Sequence, residues 1–361
     1  MLTLALAAAS AKAVDSLSVL TYNTAGNGVA DWSTNSLQVQ AIGREVGYLN
    51  PDIITFQEIP FTNSWQIPSF VRAFLPGYFY ATNSGGDGYI RSVILSRYPI
   101  TRSQSWFNRM NLSAFGYNGP FTRDLFEAEI SVPDFPQPLH VFTTHLKAGT
   151  DTTSMQRRAA ETACISNFLA TVFLPTNRAP CYLAGDMNED VVRSTTPQAV
   201  STLTATPTGL HLTMPTNPVS GSELTISIRS GLFRRYDYIL PGALLFSNIT
   251  ASQVFCTDLL SPLPAGLNAD DDSVASDHLP VFMVFSNPYT QPFRLLSIDA
   301  SDQSLTLQWE SVPGQSYRVE SSADLSSWAT FADNLPATDY SFALRTNLPG
   351  SNQFFHVRRL P

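Results

Sequence analysis

At 361 residues, 43% of them hydrophobic, the chain is long enough for one large domain and a small one and can bury a substantial core. Charged residues are only 14%, so the polar surface must come largely from Ser, Thr, Asn and Gln. A formal charge of −8 excludes a protein that coats nucleic acid by bulk attraction, but not an enzyme whose positive charge is local or carried by a bound metal.

The first 13 residues (MLTLALAAASAKA) form an apolar run ending in the small-x-small pattern Ala11-Lys12-Ala13. This predicts a signal peptide cut before Val14, and hence a secreted, periplasmic or cell-surface protein. No later segment is long and apolar enough to span a bilayer, so no stable membrane insertion is expected. Cys164, Cys181 and Cys256 allow at most one disulfide, with the pair left open. Their spacing does not suit a thiolate metal site.

From 14 to 287, short β-rich runs alternate with longer amphipathic stretches. Strands are predicted at 17–22, 52–56, 92–95, 126–130, 140–144, 181–184, 236–240 and 281–285. A helix is predicted at 37–49, where Val39, Ile42, Val46 and Leu49 recur at steps of three and four. Another is predicted at 155–173, through Ala160, Cys164, Phe168 and Leu169. The alternation predicts a mixed α/β domain whose helices cover apolar sheets. Prolines at 286–293 (SNPYTQPF) mark a linker. Beyond it, residues 288–361 alternate at strand period around 304–309, 317–319, 339–344 and 353–357. A small β-sandwich is expected there, with Trp309 and Trp328 in its core.

Five segments place isolated polar residues where strands stop. Asn23 ends one run (LSVLTYNTAG) and Glu58 another (PDIITFQEIP). Active groups sit commonly at such exits, although each residue alone also suits a turn. The stretch LHVFTTHLKAG carries His145 and Lys147, which share a face on a strand, whereas His140 faces the other way. Lys147 is the only lysine beyond residue 13, and it favours an anion site there. In CYLAGDMNED, Asp186 and Asn188 can aim at one point, the carboxylate to orient water and the amide to hold an oxyanion. Asp237 lies inside an apolar strand (YDYIL), a costly position unless paired. His278, beside Asp277 in SDHLPV, is the favoured partner, with Arg234 or Arg235 as the alternative. Carboxylates and amides without an imidazole cage suit Mg²⁺, which takes few protein ligands and uses a substrate phosphate as another.

Taken in order, Asn23, Glu58, residues 92–100 (SVILSRYPI), His145, Asp186-x-Asn188, Asp237 and Asp277-His278 resemble the motifs of the endonuclease/exonuclease/phosphatase superfamily. The resemblance runs from Val14 to about Phe285. It implies an α/β fold, a four-layer α/β/β/α sandwich, followed here by the small all-β sandwich. It makes Glu58 the main metal carboxylate, with Asn23 and Asp277 completing or supporting the cluster. Asp186 would align or deprotonate the attacking water, and Asn188 would stabilise the transition state. His278, oriented by Asp237, would contact the scissile phosphate or move a proton. His145 matches a second phosphate-side histidine. Arg123 (FTRDLFEAEI) matches a phosphate-contacting arginine of the deoxyribonuclease I-like branch.

The implied cofactor is Mg²⁺ or Mn²⁺, with Ca²⁺ also fitting. The stretch 145–160 (HLKAGTDTTSMQRRAA) is similar to that of exported bacterial nucleases in the superfamily, which implies an exported endonuclease acting on nucleic acid; a monomer is expected. A sphingomyelinase-like lipid phosphodiesterase or a phosphatase is the alternative. An exposed aromatic hairpin among Trp65, Phe70, Trp106 and Phe115 would favour the lipid enzyme, although burial is the default for each. The third reading is a non-catalytic surface module. The ligand of the C-terminal module is left open.

Overall fold

The computed structural model describes residues 14–194, 198–301, 303–347 and 354–360. The proposed signal peptide lies outside the described residues. In chain order the larger part contains β1 (Ser16–Asn23), α1 (Leu37–Leu49), β2 (Ile53–Pro60), α2 (Ile67–Phe74), β3 (Phe79–Thr82) and β4 (Ile90–Ser96). There follow β5 (Ile100–Trp106), β6 (Leu125–Ile130), β7 (Leu139–His145), α3 (Thr152–Phe168) and β8 (Cys181–Asp186). It closes with β9 (Asp237–Pro241), β10 (Ile249–Val254) and β11 (Val281–Ser286).

These strands form a six-stranded sheet, β10-β11-β1-β2-β4-β3, and a five-stranded sheet, β5-β6-β7-β8-β9. Period-two alternation gives each inner strand two apolar faces. Leu17, Val19 and Ile53 of one sheet meet Val141, Tyr182, Ala184 and Ile239 of the other in the layer between them. On the opposite face Leu20, Tyr22, Ile54 and Phe56 pack with Val39, Ile42 and Val46 of α1. Phe142, Leu183 and Leu240 do the same with Cys164, Ile165 and Phe168 of α3. The result is a four-layer α/β/β/α sandwich.

Local chemistry sets the helix ends. The Ser36 side chain caps α1 by accepting from the Val39 N–H, and Asn50 ends it in the left-handed region. Asp151 caps α3 through the Ser154 N–H at 3.0 Å, so this helix starts three residues before the periodic stretch that predicts it. One wider turn, Leu169–Phe173, carries it on with both of those residues buried. β3, β5 and β10 were not predicted. All three are edge strands, where one side is solvated and no long apolar run is needed.

The smaller part pairs β12 (Leu295–Ser301), β13 (Ser304–Glu310) and β16 (Ser341–Asn347) in one sheet. β14 (Ser316–Ser322), β15 (Ala329–Pro336) and β17 (Phe354–Arg359) form the other. Leu305, Leu307, Trp309, Tyr317 and Val319 make the core between them. Trp328 is 39% exposed, so its predicted core position does not hold; it precedes β15 and stacks edge-on with His356 instead. All three cysteines are free and buried, and the contemplated disulfide is not formed.

The two parts meet through Leu244, Tyr289 and Val312, with Phe135 packed against them. Every candidate catalytic group lies before this junction. A 14–287 fragment is therefore expected to keep full phosphodiesterase activity per folded molecule. A folded but inactive fragment would show that the sandwich helps to build the site.

Candidate active site

Strand parity aims the candidate side chains. His145 shares a face with Val141, Asp186 with Ala184, Asp237 with Ile239 and Asn23 with Val19, all of them residues of the layer between the sheets. Register brings them to one end of it. His145 lies opposite Asp186, Asp186 opposite Asp237, and Asn23 opposite Gln57. The Gly185 position requires glycine: its φ is +142°, and a Cβ there would come within 2.0 Å of the Thr144 carbonyl oxygen.

Glu58 has the wrong parity, because Ile54 and Phe56 point toward the helices. A register slip between Phe56 and Ile59, with φ of +58° at Glu58, re-aims it. Its carboxylate then joins the others. Asn23 Nδ2 donates to Asp186 Oδ2 at 2.9 Å and to Glu58 Oε1 at 3.3 Å, and lies 3.5 Å from His278 Nε2. Below this cluster Gln57 Nε2 donates to Thr21 Oγ1 and Thr143 Oγ1, tying the sheets together.

His278 and Asp237 form a buried dyad, with Nδ1 2.8 Å from Oδ2. The alternative partners are engaged elsewhere. Arg235 lies 4.1 Å over the Tyr238 ring, and Arg234 donates to its neighbour's carbonyl, Phe233 O. Ser276 Oγ accepts from the His278 N–H at 3.0 Å and donates to Asn23 O at 2.7 Å, which locks the two loops. Burial disfavours charge on His278, but the adjacent Asp237 outweighs it, and Asp186 and Asp277 add to the effect. The imidazole is raised to about 10.

His145 is in the opposite state. Burial, with Arg123, His278 and Lys147 nearby, holds it well below the usual histidine range. Its Nε2 is 3.4 Å from Asp186 Oδ2 and 3.9 Å from Glu58 Oε1, and its buried Nδ1 has no partner. Burial pushes Asp186 up to about 7, aided by Asp237 and opposed by His278 and the Asn188 and Asn23 hydrogen bonds. The slot thus offers one charged imidazole, one neutral imidazole and a carboxylate poised near neutrality.

Asn188 adopts φ of +49°; its N–H donates to Asp186 Oδ1 at 2.8 Å and its Nδ2 to Leu146 O at 3.1 Å. One amide hydrogen is left to offer. Arg123 is largely committed: Nη1 donates to His145 O and Leu146 O, both at 3.0 Å, and Nε lies 3.1 Å from Asp87. Lys147 lies beyond the end of β7, so strand alternation does not set its direction as expected. Its loop is gripped from α3 instead. Glu161 accepts from the Lys147 and Thr122 N–H groups, and Arg158 Nη1 donates to Lys147 O and Gly149 O. Asp277 is half-buried, and among the described residues its carboxylate makes no hydrogen bond or ion pair.

Sequence reasoning missed Gln57, Ser276 and Glu161 as positioning residues. Glu161 follows Arg158 by three residues on α3, a helical spacing that puts both over the same loop.

The Glu58 carboxylate is the accessible oxygen donor that suits a hard cation; Asn23 turns its amide Nδ2 to that carboxylate, while its Oδ1 accepts from the Ala25 N–H at 3.0 Å, so it orients Glu58. A different trio, Glu127, Glu129 and His140, has ligand atoms within 4.8 Å of one another. It lies on the helix side of the five-stranded sheet. Arg102, 3.0 Å from Glu127 and 2.7 Å from Glu129, and Trp106 Nε1 at 2.8 Å already fill it. That trio is an ion-pair network rather than a cation site.

A two-sheet α/β sandwich with acids, amides and an acid-paired imidazole at one end of its slot is an arrangement suited to phosphoester hydrolysis. The chain belongs to the endonuclease/exonuclease/phosphatase family, whose model matches residues 20–278. The enzymes of this family act on phosphodiester bonds and depend on divalent metal. No curated protein matches the sequence. Solved structures share the fold. A Bacteroides vulgatus family member has a TM-score of 0.55 at 16% identity, covering 75% of this chain and 98% of its own. A Leptotrichia buccalis member has 0.54 at 15% identity, covering 75% and 100%. D. rerio TDP2 complexed with a single-strand DNA product has 0.51 at 16% identity, covering 75% and 99%.

Proposed function

We propose that the protein is a divalent-metal-dependent endonuclease that is exported and acts on nucleic acid. The reading rests chiefly on the meeting of Asn23, Glu58, His145, Asp186 and the His278–Asp237 dyad in one buried slot. D. rerio TDP2, which shares the fold, is complexed with single-strand DNA, and this supports nucleic acid as the substrate class. Asp186, ionised above about pH 7, accepts the proton of the attacking water. His278, held charged by Asp237, donates from Nε2 to a phosphate or leaving oxygen. Asn188 and Arg123 offer hydrogen bonds to the charge that develops on the phosphate. A divalent cation held by Glu58, with Asn23 in support, would neutralise the phosphate and lower the pKa of its water. Asp277 supports the site through the charge on His278.

The lipid reading lacks its aromatic hairpin. Phe70 is in the core, Trp106 packs 4.7 Å from Phe168, Phe115 is half-buried, and of the four only Trp65 is exposed. Purified protein should therefore cleave plasmid DNA or RNA with Mg²⁺ or Mn²⁺ and lose activity in EDTA. Sphingomyelin and inositol phosphates should be poor substrates. Full activity in the EDTA-stripped protein would sink the metal assignment, and a preference for sphingomyelin would replace the substrate.

A further inference from the structure

Beside the slot lies a cleft of about 230 Å³ whose walls include Arg158, Asn188, Arg193, Arg234 and Tyr236. Asn188 borders both, so the cleft adjoins the candidate site. Its charge is unusual for an acidic chain. Arg193 is neutralised by Asp190 at 3.2 Å and Glu223 at 2.6 Å. Glu189, also on the wall, turns its carboxylate into the N–H groups of Ala199 and Val200. Arg158 and Arg234 have no carboxylate partner among the described residues. Two positive charges are thus left facing the cleft.

Arg158 is the stronger sign of a ligand. Only 5% exposed, it spends Nη1 on Lys147 O and Gly149 O, while its buried Nε has no acceptor. A largely buried guanidinium that lines the cleft with no carboxylate beside it carries a charge that an anion there would compensate. Tyr236, half-buried, is fixed from both sides of its backbone: its N–H donates to Thr225 Oγ1 at 3.0 Å and its carbonyl accepts from the Met187 N–H at 2.7 Å. The second of these bonds joins the cleft wall to the Asp186–Asn188 turn.

We infer that this cleft is a second phosphate subsite. It takes the phosphodiester next along a polynucleotide from the one being cleaved, with Arg234 and Arg158 as its cationic walls. The inference rests on the nucleic-acid reading above. A second phosphate contact strengthens binding of a polymer and does nothing for a substrate with a single phosphate. It would therefore set a preference for chains over small diesters.

Arg234→Ala is the test, because among the described residues this half-buried side chain contacts only its neighbour, bonding to Phe233 O at 2.9 Å and lying 5.7 Å over the Phe233 ring, and its removal should leave the thermal midpoint unchanged. Two quantities are read. One is the ratio of kcat/KM on a single-stranded oligonucleotide to that on bis(p-nitrophenyl) phosphate. The other is the salt dependence of oligonucleotide binding by His278→Ala protein, with and without Arg234→Ala. The ratio should fall about tenfold or more, and the slope of log K against log salt should shrink by about one. Arg234→Lys should restore most of the slope. An enzyme that cleaves and binds the oligonucleotide with both quantities unchanged would overturn the subsite and leave the nuclease reading standing. A protein that hydrolyses the small diester but neither binds nor cleaves any polynucleotide would overturn both.

Discussion

His278→Ala is expected to lower kcat by about 10²–10⁴, the range for losing one transition-state donor or acid–base group. Asp237→Asn should also be severe, because an amide can hold the imidazole but cannot stabilise its charge. The two residues act through one proton position, so the double variant should be little slower than His278→Ala alone. Stability adds a second reading. Asp237 is wholly buried and its Oδ1 already lacks a partner, so His278→Ala leaves an uncompensated charge inside. Breaking a buried pair in this way costs about 3–5 kcal/mol. The double variant His278→Ala/Asp237→Asn should recover part of that loss. The sign with pH follows from the imidazole, which goes from about 6.5 when unfolded to about 10 when folded. Its stabilisation is fully present below 6.5 and is lost as pH rises through 10. The stability gap between wild type and Asp237→Asn should therefore be widest at low pH and narrow toward pH 10. Additive losses in kcat between well-folded single variants would count decisively against the dyad.

The dyad also shows how far the sequence could be read. A carboxylate inside YDYIL demanded a partner, and the choice between His278 and two arginines was settled only by which loop reaches it. The layer between the sheets was legible because Val19, Ile53, Val141 and Ile239 sit at strand period in long apolar runs. Edge strands such as β5, with Arg102, Ser103 and Gln104 exposed, carry no such pattern. Glu58 was found from its place at a strand exit, but its parity pointed away from the slot. The backbone irregularity that turns it inward leaves no mark in residue type. Lys147 was judged by alternation that ends two residues earlier. The grip of Arg158 and Glu161 on its loop joins segments whose contact only the fold creates.

Glu58→Gln is expected to abolish most activity and, independently of turnover, to weaken Mn²⁺ binding. The physical ground is the pair of carboxylates that share the Asn23 amide. Glu58 Oε1 and Asp186 Oδ2 lie 3.3 and 2.9 Å from one amide nitrogen. Both carboxylates face the one slot, where buried charge is costly unless a cation or protons compensate it. Burial, aided by Asp237, has already pushed Asp186 up to about 7. Glu58 is the more exposed of the two, with 20% of its side chain accessible against 2% for Asp186, and so it is the one a hydrated cation can reach. Gln keeps the size and one oxygen but removes the charge. Losing an outer-shell partner alone lowers metal affinity about 10–100-fold, and losing a charged ligand should cost at least that. Titration of EDTA-stripped protein with Mn²⁺, followed by electron paramagnetic resonance, reads this without substrate. Asp277→Asn provides the contrast, since its carboxylate bonds nothing among the described residues, and its effect on Mn²⁺ affinity should be much smaller. Equal losses in the two variants would place the cation between Glu58 and Asp277. An unchanged Mn²⁺ affinity in Glu58→Gln would remove Glu58 from the metal site.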